Sequence, residues 1–314
     1  MNVEQVRRAP ATRRAAGGGG FRSWWGRNQR KIVPYLFITP NLVVFTLFMF
    51  IPIIGAFYVS LTKWSLIGSP TFIGIENYVQ MFTDPNFWKA FYNTFIYTVG
   101  TVPTSIALGL LVAMGLNRRL PGRTLLRSIY FVPVIISLVA AALIAAWMFN
   151  DNYGVINSLL NAVGLKSVHW LSSATWAMPS LIITTLWIRL GFNMVIYLAA
   201  LQGISPEVYD AANIDGAKGW KLFRYVTWPL LAPTTFLVLI INIIYSTYVF
   251  DLIYVMTGGG PGFSTTVLVQ YVYQEAFQQG DMGYASAIGV FLYVLLMVFT
   301  LFQWRVTRQG EQAS

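Results

Sequence analysis

The chain has 314 residues, of which 56% are apolar and only 10% charged, with a mean hydropathy of +0.59. Soluble domains of that combined length need far more surface charge, so a globular enzyme, a coiled coil, a disulfide scaffold and a disordered chain are excluded. The lack of cysteine removes thiolate metal sites and thiol nucleophiles, and the formal net charge of +10 takes its meaning from where the cations lie relative to a membrane.

The first 31 residues are basic, include the run Gly17 to Gly20 and offer no core, which predicts a disordered tail. Within it, Trp24 and Trp25 beside Arg22 and Arg27 suit either lipid headgroups or solvent. Six apolar stretches follow, at 34–61, 91–116, 125–149, 178–201, 231–256 and 284–304. Each is long enough for a hydrocarbon layer of ~30 Å at ~1.5 Å per residue. The first has full membrane length and no small-residue cleavage site after it, so it reads as a span rather than a cleaved signal peptide. With the amino terminus inside, seventeen of the 21 Lys and Arg fall in inner segments and three, Lys63, Lys89 and Lys166, fall outside. That asymmetry predicts both termini in the cytoplasm. It also reads the basic charge as topology plus attraction to the anionic lipid bilayer, with no nucleic-acid partner.

The three outer loops are each near 27 residues and contain Pro, Gly and aromatics, a length that usually carries structure or function. No internal repeat is visible, which weighs against a single-chain carrier built from duplicated halves. No phosphate-cradling G-x-x-x-x-G-K-[ST] run, Ser/His/Asp set or carboxylate pair is evident. The single histidine, His169, reads as an ordinary loop residue. The chain is therefore not expected to be an enzyme or to hold a cofactor or metal of its own, and a membrane protein without its own chemistry must draw directionality from an ion gradient or from a partner.

Charges inside spans are costly and mark function. Here they are Arg189 in the fourth stretch and Asp251 in the fifth, at depths of roughly 16 Å and 8 Å, too mismatched to favour a direct ion pair. Arg189, Asn193 and Tyr197 share one helical face, as do Asn242, Tyr245, Ser246 and Val249. Polar groups interleaved with aromatics suit a sugar, whose hydroxyls need hydrogen bonds and whose ring face stacks. The same residues serve equally as glue between helices.

Between the fourth and fifth stretches lies the longest inner connection, SPEVYDAANIDGAKGWKLFRYVTWPLLAP at 205–233. Ser205 is placed as an N-cap, Pro206 fits the first helical position and Glu207 complements the helix dipole. The small pair Ala211 and Ala212 follows, then Gly216 permits a turn into a second amphipathic helix expected to end near Pro229. Such a helix suits close docking into a partner's groove, and equally a plain surface hairpin.

Asp210-Ala211-Ala212, then Gly216, nine residues, and Val226-Thr227-Trp228-Pro229 resembles the EAA signature of ATP-binding-cassette importer permeases, E-A-A-x3-G-x9-I-x-L-P. Asp replaces Glu, Val replaces Ile and Trp replaces Leu at unchanged spacing. FIGIENYVQMF (72–82), NTFIYTV (93–99), RSIYFVP (127–133) and TGGGPGFST (257–265) extend the resemblance to carbohydrate-uptake permeases of the maltose and glycerol-phosphate type, over 34–305.

The resemblance implies an all-α membrane protein with six transmembrane helices and the type I importer permease fold, in a bacterial cytoplasmic (inner) membrane. Its permease domain would be 32–306, with a coupling loop at 203–229 and tails at 1–31 and 307–314. The implied partners are a second homologous permease, two cytoplasmic ATPase subunits that hold ATP and Mg, and an extracytoplasmic solute-binding protein. Glu207, Asp210, Ala211, Ala212, Asp215, Gly216 and Pro229 would couple to an ATPase. Arg189, Gly191, Asn193, Met194, Tyr245, Ser246, Val249 and Asp251 would lie on the substrate path. A neutral sugar or oligosaccharide is the first expectation and a glycerol phosphate the alternative. An ion-coupled secondary carrier, weakly favoured by Asp251 and Arg189, and a structural membrane protein are the readings from other classes.

Overall fold

The computed structural model describes residues 21–118 and 121–312. Residues through Gly55 form one unit and those from Ala56 onward another. The first unit is α1 (Phe21–Phe45), a π-helical turn (Thr46–Phe50) and the start of α2 (Ile51–Ser60). Together they supply a candidate span, Val33–Ser60. Helix begins at Phe21, so residues 21–31 extend α1 rather than standing apart as a tail. Residues 1–20, the rest of that expected tail, lie outside the described residues, as do the side chains of Trp24 and Trp25.

The second unit opens with a small layer of two strands and a helix. Strands β1 (Thr62–Lys63) and β2 (Thr71–Phe72) pair antiparallel, and α3 (Glu76–Thr83) follows. Asn77, buried, donates its amide to the Ser60 and Thr62 carbonyls at 2.8 and 2.9 Å, satisfying backbone groups that the end of α2 leaves free. Asp84 then caps α4 (Pro85–Asn117), accepting from the Asn86 N–H at 2.8 Å. The helix α14 (Met282–Gln312) returns to this layer through the N–H groups of Met282 and Gly283 on the Trp64 carbonyl. It runs helical to Gln312, so residues 307–312 of the expected carboxyl tail continue the helix.

The centre of the unit is α4 against α8 (Ala177–Gly203), crossed by α11 (Trp228–Thr247). Tyr97 meets Thr185 and Gly109 meets Asn193, so the two helices run in the same direction. Thr235 meets Tyr197, Asn242 meets Asn193 and Ser246 meets Thr98, so α11 runs opposite to both. The chain between α4 and α8 must therefore return across the bundle. It does so as α5 (Arg123–Ile135) and α6 (Leu138–Met148), bent by 102° at their junction. This corrects the single straight third span expected at 125–149. Pro133 removes a helical N–H near the end of α5, and Ile136 and Ser137 are both extended, which ends one helix and starts another. After the short α7 (Val155–Ala162), the buried Asn157 holds its loop through Asp151 O, Val168 and Trp170.

The fifth stretch is also shorter than expected. Helix α11 ends at Thr247, and α12 (Asp251–Met256) starts after a break. The hydroxyls of Ser246 and Thr247 both donate to the Ile243 carbonyl, at 3.0 and 2.8 Å, competing with the backbone for an acceptor in the last turn. Helix α12 packs on α6 in a core of Ala141, Ala142, Ala145, Leu252 and Ile253. Among the described residues five helices are long and apolar enough to cross a membrane, or six if α5 and α6 count as one span.

From α12 the chain enters a tight loop, 257–265, before α13 (Leu268–Tyr273) and a π-helical stretch (Gln274–Gln279). The Thr265 hydroxyl donates to the Gly260 carbonyl at 2.8 Å, and the Thr265 N–H donates to Gly259 O. From α4, Asn93 donates to Phe263 O and Thr266 O, and Lys89 donates to Gly262 O.

Candidate functional site

Two regions hold the residues singled out by sequence. The first is α9 (Pro206–Ile214), joined to the end of α8 by residues 204 and 205. Ser205 stands at the N-cap with extended backbone, yet its hydroxyl makes no capping bond, and the Val208 N–H donates to its carbonyl instead. Pro206 and Glu207 occupy the first turn, where a missing N–H costs nothing and a carboxylate faces the positive end of the dipole. The helix ends in a Schellman turn: Ala217 N–H donates to Ala212 O and Gly216 N–H to Asn213 O, with Gly216 at φ +79°. Only glycine enters that backbone region without strain.

On this helix Ala212 is buried against the chain, whereas Glu207, Asp210, Ala211 and Asp215 are exposed and Ile214 is 87% exposed. A capped helix with an outward isoleucine and a small residue at its base leaves an apolar and acidic face without a partner in this unit. Beyond Gly216, α10 (Trp220–Leu222) passes through a π-helical turn (Phe223–Thr227) directly into α11. The second amphipathic helix therefore does not end near Pro229. The π turn absorbs the hydrogen bond that Pro229 cannot make, and Pro229 sits in the first turn of α11.

The second region lies where α4, α8 and α11 meet. The Asn242 amide donates to Asn193 Oδ1 at 2.9 Å and to the Val238 carbonyl at 2.8 Å. Asn242 Oδ1 accepts from Ser105 and from Arg189 Nε, both at 3.4 Å. The Arg189 guanidinium lies 4.2 Å from the Tyr245 ring centroid and 4.5 Å from that of Phe192, with its Nη2 enclosed and lacking a hydrogen-bond acceptor. Among the described residues no Lys or Arg pairs with a carboxylate, and the one histidine–carboxylate contact, His169 Nδ1 to Asp151 at 3.6 Å, lies in the connection between α6 and α8, so Arg189 and Asp251 are not paired.

Sequence-derived substrate-path residues thus separate into three groups. Arg189 and Tyr245 are half-buried and adjacent. Asn193, Met194, Ser246 and Val249 are buried in helix packing, and Gly191 is there because a Cβ would come within 2.1 Å of the Tyr130 carbonyl of α5. Asp251 is neither deep in a span nor near Arg189 by any bond; it is exposed in the first turn of α12. Hydropathy alone ran α11 and α12 together, which is why it was placed within a span.

Residues 105–309 match the family described as binding-protein-dependent transport system inner membrane component. The chain belongs to that family. It is 36% identical to the sulfoquinovosyl glycerol transport system permease protein SmoG of Agrobacterium fabrum, over 90% of this chain and 92% of that protein. It is 35% identical to the trehalose/maltose transport system permease protein MalF of Thermococcus litoralis, over 87% and 93% respectively. Among solved structures it resembles a chain of a bacterial alginate ABC transporter crystallised with an alginate pentasaccharide-bound periplasmic protein. The TM-score is 0.81 and the identity 26%, covering 91% of this chain and 97% of that one. The protein is accordingly a multi-pass permease, a transport component rather than an enzyme, and the ion-coupled carrier reading is set aside.

Sequence reasoning missed one residue of the permease's polar cluster, Ser105 of α4, whose contact with Asn242 joins helices far apart in the chain. Phe192, inside the segment 191–194 that the resemblance singles out, lays its ring against Arg189 three residues back on the same helix face.

Proposed function

We propose that this permease is one membrane-spanning subunit of an ATP-driven, binding-protein-dependent importer that carries a sugar or oligosaccharide into the cytoplasm. It would pair with a second, similar permease, two cytoplasmic ATPases that hold ATP and Mg, and an extracytoplasmic solute-binding protein. The observation that carries this reading is α9: a helix opened by Pro206 and closed by a Schellman turn at Gly216, exposing Ile214, Asp210 and Glu207, on a connection that leads directly from α8. Closure of the ATPases would move this helix, and with it α8 and the Arg189–Tyr245 pair. The saccharides named for the relatives support the substrate class. Arg189 Nη2, the enclosed donor without an acceptor beside two rings, supports a place for it on the path.

The same direction of α4 and α8 supports six crossings, with α5 and α6 together as the third. Combined with the placement of the cations, it supports both termini inside. The test combines isolation and labelling. The chain should co-purify with an ATPase and a second permease, and ATP hydrolysis by that complex should rise with loaded binding protein. In this cysteine-free background, cysteine at position 68 should react with an impermeant reagent on intact cells and cysteine at 218 should not. Uptake by the chain alone in vesicles would overturn the assignment, and labelling at 218 but not 68 would overturn the orientation.

A further inference from the structure

The inner connection is segregated by charge. From Pro206 to Gly216 it carries Glu207, Asp210 and Asp215 and no cation; from Ala217 to Pro229 it carries Lys218, Lys221 and Arg224 and no acid. In the second part Trp220, Lys221, Arg224, Tyr225 and Trp228 fall at i, i+1, i+4, i+5 and i+8, one face of a helix. All five are exposed, Trp220 at 73% and Tyr225 at 74%. The opposite face turns inward: Thr227 is buried, Val226 is half-buried, and Phe223 packs on the core of Leu110, Leu198 and Leu231. The Phe223 ring also supports Trp220 and Trp228, at centroid distances of 5.2 and 6.1 Å, so the aromatic side chains are held in place from beneath.

This face occupies the first nine residues of the candidate span Trp220–Thr247. Its nine residues rise ~12 Å, enough to cross the headgroup zone of one leaflet, roughly 5–8 Å deep. Amphipathic rings rest at that depth, and cations between them attract anionic headgroups. The acidic α9 is repelled by such a surface, so the two halves of the connection have opposite affinities for it. We propose that Trp220, Lys221, Arg224, Tyr225 and Trp228 form a binding surface for anionic phospholipid, with Lys221 and Arg224 on the headgroup phosphate and the rings seated at the headgroup level. It rests on the proposed inside location of this connection, and it leaves α9 free of the bilayer to meet a protein.

The full chain is reconstituted in nanodiscs of mixed phosphatidylcholine and phosphatidylglycerol, released into detergent, and its retained lipids are counted by native mass spectrometry. Wild type should keep phosphatidylglycerol in preference to phosphatidylcholine. Lys221→Gln with Arg224→Gln should lower that preference on the order of 30-fold, from two cations lost near the surface. Lys221→Arg with Arg224→Lys should preserve it, separating charge from misfolding. Trp220→Ala with Tyr225→Ala should lower retention of both lipids and leave their ratio unchanged. Equal retention in wild type and the double Gln variant overturns the proposal. So does loss of a co-purifying ATPase with lipid retention intact, which assigns the face to a protein. Both leaflets of a nanodisc have the same composition, so the lipid result stands apart from the orientation, which labelling at 218 reports separately.

Discussion

The polar residues of the spans and those of the connection between α8 and α11 meet opposite fates. Inside the bundle, Asn193, Asn242, Ser105 and Ser246 are buried and bonded to one another or to neighbouring helices. On α9, Glu207, Asp210 and Asp215 are exposed. Polarity within a bilayer is consumed where no water can satisfy it, whereas polarity at the surface is left for partners. Arg189 stands between the two cases, since its Nε is used and its Nη2 is not.

The comparison breaks most sharply at Gly216. Replacement by proline forbids φ +79° and removes the N–H that closes the Schellman turn, so transport and its coupling to ATP hydrolysis should be abolished while the chain still inserts. Normal stimulated hydrolysis by that variant would reduce α9 to a connector. Asn242→Ala should act on the other side of the comparison. It strands the Asn193 amide and Arg189 Nε, and should cost about 1–2 kcal/mol in detergent unfolding with little effect on ATPase assembly.

Tyr245→Ala tests the intermediate case. Removing the ring 4.2 Å from the guanidinium should weaken uptake on the order of 5-fold with normal accumulation. A stability loss without an uptake change would move Arg189 and Tyr245 into the glue.

The smallest effect is expected at the layer of β1, β2 and α3, where Asp84 accepts from Tyr271 and Tyr284 at 2.5 and 2.6 Å. Burial alone would raise this carboxyl, but the two phenols and the N–H groups of Asn86 and Phe87 outweigh it and hold it below the usual carboxylate range. A folded value below the unfolded one adds stability above the unfolded value, near ~3.9, that fades as pH falls through the folded one. Asp84→Asn should therefore lower the melting temperature slightly at neutral pH and flatten its fall in acid. An unchanged acid limb would show the carboxylate to be idle.

What the sequence made legible was local or periodic. Pro206, Glu207 and Gly216 announce α9 because caps are satisfied within a few residues. The shared faces of Arg189, Asn193 and Tyr197, and of Asn242 and Tyr245, follow from the helical repeat, and the structure turns these faces toward each other. The breaks were not legible. Hydropathy runs unbroken through 136–137 and 248–250, because the side chains there are mostly apolar whether or not the backbone is helical. Nor does periodicity say that Gly191 is required by the Tyr130 carbonyl, since that contact joins helices far apart in the chain.

The loop at 257–265 has a further consequence. Its carbonyls at Gly259, Gly260, Gly262 and Phe263 are already engaged, by Thr265 from within and by Lys89 and Asn93 from α4. The conformational entropy of ordering this segment is therefore lost when the permease itself folds, not when something arrives at the loop. A molecule that meets the loop finds a rigid relief, and its affinity is reduced only by its own ordering and by the water it displaces.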